Sequence, residues 1–245
     1  MPLSFLDRFV QHEKELFEFL NSHHTPYWDA FMYLISNKWA WVGIIIAFLY
    51  FIFYKRATKE AVFLLIGMAL CILICDQLSS HLAKPFFARL RPTHFPGVSD
   101  SVSVVYGYRG GKYGFFSGHA SNFFAYALYT SLIYKNRLYT IIIFTITAII
   151  AYSRIYLGVH FVSDIVVGMI VGLAVGYLVY RIYLWMRYMW ITPYEKNTGK
   201  VFSHGIKLWN YSLILFMVFL LTVSAQIAQI TGTFIEQPKL EYIKK

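Results

Sequence analysis

Charge is what this chain has least of. Only 14% of its 245 residues are Asp, Glu, Lys or Arg, whereas 58% are apolar and 20% aromatic. At a mean hydropathy of +0.53 there is too little polar chain to cover the apolar runs, which excludes an ordinary soluble globule. Cysteine is nearly absent as well, with two residues, Cys71 and Cys75, four apart in one apolar run. A disulfide fits poorly within one helix at that spacing and zinc ligation would require two further ligands, so both read as packing residues. Missing too is the uncharged core of a signal peptide, because Asp7, Arg8, Glu13, Lys14, Glu15 and Glu18 are spread through the first segment. No cleavage is expected. Internal repeats, low-complexity tracts and a soluble second domain are also lacking.

What is present is a series of charge-free runs: Trp39 to Tyr54, Ala61 to Cys75, Tyr113 to Tyr134, Leu138 to Ser153, Ile165 to Tyr180 and Leu208 to Ile235. Several span roughly 24 Å as helix, slightly under the ~30 Å hydrocarbon core, so flanking residues must complete them. The expected fold is an all-α integral membrane protein, about six transmembrane helices in one bundle. Residues 1–38 read as an N-terminal segment. There Leu6, Phe9, Val10, Phe17 and Leu20 recur at near-helical spacing, the pattern of an amphipathic interfacial helix or of a solvated one. Residues 39–235 form the membrane domain and 236–245 a polar tail.

With six spans, the loops after the first, third and fifth carry Lys55, Arg56, Lys59, Lys135, Arg137, Arg181, Arg187, Lys196, Lys200 and Lys207, which assigns them to the cytoplasm. Three polar islands then emerge together on the opposite face. Gly168, Gly172 and Gly176 form a small-xxx-small stripe in the fifth span, suited to close helix packing inside the protein.

The islands are KPFFARLRP from Lys84 to Pro92, Ser117-Gly118-His119, and SRIYLGVHFVSD from Ser153 to Asp164. Charges beside apolar segments are costly unless they have a role. Lys84 and Arg91 lie about two helical turns apart, with Pro85 and Pro92 marking the end of the second span. Ser117 and Gly118 open the third span, where free backbone N–H groups and the helix dipole favour an anion, and His119 can protonate a leaving oxygen. His160 and Asp164 are four apart, so the carboxylate can accept the Nδ1 proton and aim Nε2 outward as a nucleophile. Arg154 can neutralise the group under attack. Asp76, following fifteen uncharged residues, reads as a carboxylate behind the site, paired with a motif cation.

These three islands, in this order and spacing, resemble the type 2 phosphatidic acid phosphatase superfamily, with its K-x6-R-P, P-S-G-H and S-R-x5-H-x3-D motifs. Lys84 through Arg91-Pro92, Ser117-Gly118-His119, and Ser153-Arg154 through His160 to Asp164 match. Phe116 stands where the family usually has proline. The resemblance runs from about Trp28 to Tyr180. It implies that His160 forms a phosphohistidine, that Asp164 orients it and that His119 is the acid. Lys84, Arg91, Ser117, Gly118 and Arg154 would hold the phosphate, with Ser153 in support. No cofactor or metal is implied, because fixed cations stabilise the equatorial oxygens.

The implied partners are a phosphorylated lipid and the bilayer, with no nucleic acid. The implied setting is a bacterial inner membrane with the site facing the periplasm. Undecaprenyl diphosphate is slightly favoured as substrate; lipid A phosphates, phosphatidylglycerol phosphate and phosphatidate are the alternatives. A vanadate-dependent haloperoxidase, a non-catalytic lipid binder or transporter, and a metal-dependent hydrolase using His119, His160 and Asp164 are the rival classes. The loop from Thr93 to Phe116, with Tyr106, Tyr108, Gly110, Gly111 and Tyr113, reads either as a headgroup-selecting rim or as a plain connection.

Overall fold

A computed structural model describes residues 5–53, 58–191, 197–203 and 205–243, so Lys55, Arg56, Lys196 and the last two residues of the polar tail lie outside the described residues. The described chain is helical, without a strand. In order come α1 (Phe5–Leu20), α2 (Pro26–Ser36), α3 (Val42–Phe53), α4 (Thr58–Asp76), α5 (Lys84–Phe87), α6 (Gly118–Tyr134), α7 (Arg137–Tyr156), α8 (Val162–Trp190), α9 (Thr198–Val201) and α10 (Ile206–Ile243). α10 thus continues through most of the stretch that reads as a polar tail.

Among the described residues, four helices are long and apolar enough to cross a membrane, or five if α2 and α3 count as one span bent by 69°. The six apolar runs correspond to these and to α6, which at 17 residues is too short to qualify by length. The bend lies at Asn37, whose side chain accepts from Trp39 N at 3.0 Å and restarts the chain as a 3₁₀ turn. The second span is longer than its charge-free run. α4, a π-helical stretch at Gln77–Ala83 and α5 form one 29-residue unit, Lys59–Phe87, that carries Asp76 and Lys84 inside it.

The glycine stripe explains how the centre is packed. A Cβ at Gly168, Gly172 or Gly176 would stand 2.7, 2.4 and 2.6 Å from the carbonyl oxygens of Ser117, Ser121 and Ala125. Only bare backbone on α8 lets α6 lie that close. The stripe is therefore an internal interface, and it presses the start of α6 against the start of α8.

α1 buries Val10 and Phe17 against Phe95, Val98, Ile155 and Phe161, while Phe9, Leu16 and Phe19 remain exposed. Its amphipathic pattern thus serves a protein contact on one side and leaves apolar side chains outside on the other. At the far end of the bundle Arg187 is buried and donates from Nε to Glu60 Oε1 at 2.7 Å, with Tyr183 Oη donating to Oε2 at 3.0 Å. Arg187 is thus an internal ion-pair partner within the end of the bundle that carries the basic loops.

Candidate active site

The three islands converge at one end of the bundle, opposite the Glu60–Arg187 pair. α5 ends there, and α6 and α8 begin there. Ser117 caps α6, its hydroxyl accepting from Ala120 N at 3.4 Å, and its own N–H donates to the Asp164 carbonyl at 3.0 Å. That bond ties the second island directly to the third.

Asp164 sits in the first turn of α8, fully buried, where its Oδ2 accepts from Phe161 N at 3.0 Å. The same oxygen lies 3.3 Å from His160 Nδ1. With Nδ1 turned to the carboxylate, Nε2 is left as the free nitrogen, and Arg91 Nη1 stands 3.5 Å from it. Burial first, then the positive charges of Arg91, Arg154, Lys84 and Arg89, hold the His160 imidazole well below the usual histidine range. His160 is therefore neutral at physiological pH, the state a nitrogen nucleophile requires.

Arg91 is fixed by main chain: Nε donates to Tyr113 O at 3.1 Å and Nη1 to Val159 O at 3.2 Å. The loop can close over it because Gly110 has φ +67° and no side chain; a Cβ there would meet Arg91 Nη1 at 2.8 Å. Arg154 is buried near the end of α7, donating to Ser36 Oγ and, at 3.1 Å, to Tyr108 Oη. Lys84 Nζ lies 4.0 Å from where a Cβ on Gly118 would stand, which puts the ammonium beside the α6 N-terminus, while the atom such a Cβ would crowd is Ser79 Oγ at 3.2 Å. The positively charged groups acting on His119 include Arg154, Arg91 and Lys84, which places its imidazole in the same pocket. Among the described residues neither Lys84, Arg91 nor Arg154 forms an ion pair with a carboxylate. Their charge is available to an anion.

Asp76 and Ser153, the two supporting residues, both make local hydrogen bonds. Asp76 accepts from Ser80 Oγ at 3.1 Å, one turn along its own helix; among the described residues it forms no direct ion pair, though its charge acts on Lys84. Ser153 turns back to Ile150 O at 2.6 Å, a bond within α7 that keeps its buried hydroxyl satisfied. Phe116 is buried beside Ala83 and Phe115, and its carbonyl accepts from Ser79 Oγ at 2.9 Å.

Three residues around the site escaped the sequence reading, Ser36, Arg89 and Glu13, and a fourth, Tyr108, entered it only as part of the loop rim and not as a partner of Arg154. Tyr108 and Ser36 hold Arg154; nothing in their spacing marks them, since α2 and the Gly–Tyr loop reach it only through the fold. Arg89, inside the first island, is 1% exposed and pairs with Glu13 of α1. Glu13 did leave a signal, since it lies between Val10 and Phe17 on the buried stripe of α1, where a carboxylate is out of place.

A buried, neutral histidine backed by a carboxylate and facing unpaired cations, set at the end of a membrane bundle, defines an integral membrane enzyme that handles phosphate headgroups. The chain belongs to the PAP2 superfamily, whose model matches residues 60–188. It is a PAP2 membrane lipid phosphatase. It is 47% identical over 232 residues, 94% of this chain and 98% of the other, to a lipid A 4'-phosphatase of Porphyromonas gingivalis. It is 34% identical to a lipid A 4'-phosphatase of Bacteroides thetaiotaomicron, over 69% of this chain and 76% of the relative. The crystal structure of LpxE from Aquifex aeolicus superposes with a TM-score of 0.53 at 26% identity, covering 68% of this chain and 93% of that one.

Proposed function

We propose that this phosphatase removes the 4'-phosphate monoester of lipid A. The observation that carries the reading is the 47% identity, end to end, with a relative bearing that name. It displaces the undecaprenyl diphosphate favoured from the sequence. The site supports it in a second way: Arg154 lies against Tyr108, whose ring is 6.3 Å from Tyr33, which in turn meets Tyr106 at 5.3 Å. Tyr106 is half exposed, so an aromatic rim stands next to the phosphate pocket, suited to the apolar face of a sugar. On this reading the Thr93 to Phe116 loop selects the headgroup.

The geometry supports the following mechanism. The phosphate docks among Lys84, Arg91, Arg154 and the Ser117-Gly118 end of α6, where cations and the helix dipole neutralise its oxygens. His160 Nε2 attacks phosphorus as the bond to the sugar oxygen breaks, and His119 gives its proton to that oxygen. Asp164 holds the Nδ1 proton throughout. Water then attacks the phosphohistidine, returning its proton to His119, and inorganic phosphate leaves. Because the basic loops lie at the other end of the bundle, the site faces the periplasm of a bacterial inner membrane.

Purified protein incubated with bis-phosphorylated lipid A, undecaprenyl diphosphate, phosphatidylglycerol phosphate and phosphatidate tests the substrate. The expected product is lipid A lacking only the 4'-phosphate, identified by mass spectrometry. Faster turnover of any of the other three lipids overturns the assignment. Activity abolished by EDTA and restored by zinc would overturn the metal-free mechanism, whereas inhibition by vanadate is expected.

A further inference from the structure

Behind the His160–Asp164 pair lies a second charged layer that reaches the N-terminal helix. Arg89 is fully sequestered, its guanidinium packed 4.8 Å from the ring of Phe161 and 5.8 Å from that of Phe115. Its Nη2 binds Glu13, and its Nη1 lies 3.3 Å from Asp164 Oδ1 and donates to Ser163 Oγ at 2.7 Å. The Asp164 contact is an ion contact without an aligned hydrogen bond, since Oδ1 accepts none. Glu13 also accepts from Ser163 N at 2.8 Å through Oε2 and from Ser163 Oγ at 2.7 Å through Oε1. A carboxylate from α1 therefore caps the first turn of α8, the turn that carries Asp164.

We infer that Glu13 is a positioning residue for the catalytic pair, acting through Arg89 to hold Asp164 Oδ2 against His160. A buried guanidinium facing one carboxylate would draw that carboxylate fully onto itself. Glu13 occupies the other side of Arg89, so Asp164 keeps only a lateral contact through Oδ1, and Oδ2 stays turned to His160 Nδ1. Without the Glu13 charge, Arg89 recentres on Asp164 and Oδ2 leaves the imidazole. Glu13 lies outside the residues that the family model matches, 60–188, so this hold is supplied by a segment outside the matched region. The inference rests on the proposed roles of His160 and Asp164.

The test is a double-mutant cycle on the purified enzyme with lipid A, reading kcat, KM and the inhibition constant for vanadate. Glu13→Gln keeps the size and one oxygen for the Ser163 N–H but removes the charge. It should lower kcat about tenfold, the usual loss when a partner behind a catalytic ligand is removed, with KM and vanadate inhibition within about twofold of wild type. Glu13→Asp should recover part of that loss. In an Asp164→Asn background, adding Glu13→Gln should cost less than about twofold more, because the path it acts through is already cut. A full tenfold loss in that background, or a raised KM at unchanged kcat, overturns the role of Glu13. Wild-type turnover by Asp164→Asn alone instead overturns the proposed mechanism, and the two failures are distinguishable.

Discussion

Both ends of the helical bundle bury a Glu–Arg pair, and they differ in what surrounds it. At one end Glu60 takes Arg187 and Tyr183, joining α4 to α8, and among the described residues it pairs with no other cation. At the other end Glu13 and Asp164 share Arg89, while Lys84, Arg91 and Arg154 stand nearby without a carboxylate in ion-pair reach. The first pair is electrically closed and serves as a clamp between helices. The second opens onto surplus positive charge and can accept an anion. Burial of charge alone therefore does not mark a functional site; imbalance of buried charge does.

The sharpest way to break the comparison is at the proposed nucleophile, His160. His160→Ala should reduce phosphate release by about 10⁴-fold or more while leaving the thermal midpoint near wild type, since the imidazole supports chemistry more than packing. Wild-type phosphate release from the purified variant would refute the assignment. At the closed end the expectation is reversed. Arg187→Ala leaves Glu60 buried and unpaired, which should cost about 3–5 kcal/mol of stability with kcat unchanged in the molecules that remain folded. A variant with unaltered melting and lower kcat would mean that the two ends are coupled.

Removing one of the surplus cations separates the ends further. Arg91→Ala should lower kcat/KM by about 10²–10³-fold, and stability should hold or rise as like-charge repulsion falls. A marked drop in melting temperature would place Arg91 in the scaffold. Gly172→Ala probes the link between packing and site. Its methyl would stand 2.4 Å from Ser121 O, so α6 must shift, at a cost of about 1–3 kcal/mol and with a loss of turnover as Ser117 to His119 move with it. Equal activity and melting would show that the stripe is slack.

The smallest effect is in pH. The His160 pKa lies well below the ordinary value of about 6.5, so the neutral imidazole survives acidification beyond that point. Turnover should hold through pH 6.5 on the way down and fall only at lower pH. The sign for stability is opposite to that of a stabilised histidinium: the unfolded chain binds this proton first, so stability begins to fall as pH drops through about 6.5. An activity limb centred at or above 6.5 would contradict the burial-driven shift.

The helical membrane class and the content of the pocket were legible in the chain because hydropathy and fixed spacing along one helix are local properties. Asp164 reaches His160 by being four residues away on the turn it begins, and the glycine stripe announced a close helix contact by its period. For Asp76 the chain signalled a partner without naming it: its hydrogen bond comes from Ser80 on the same helix, and its charge acts on Lys84 without a direct ion pair. The span boundaries drifted for a related reason: hydropathy cannot see that the helical unit Lys59–Phe87 carries on past Asp76 and Lys84, nor that the chain bends by 69° at Asn37.

The sequence by itself determined the reaction class, since the charged islands would be prohibitively costly in an apolar chain unless gathered round an anion, and their order and spacing match one family. Only the tertiary structure decided which charges remain free to do so. Glu13 and Arg89, Glu60 and Arg187, Arg154 and Tyr108 are far apart along the chain, and no periodicity connects them. Whether a buried cation is spent on a neighbouring carboxylate or left for phosphate depends on which helices the glycine stripe and the apolar faces bring together, and that is a property of packing in three dimensions.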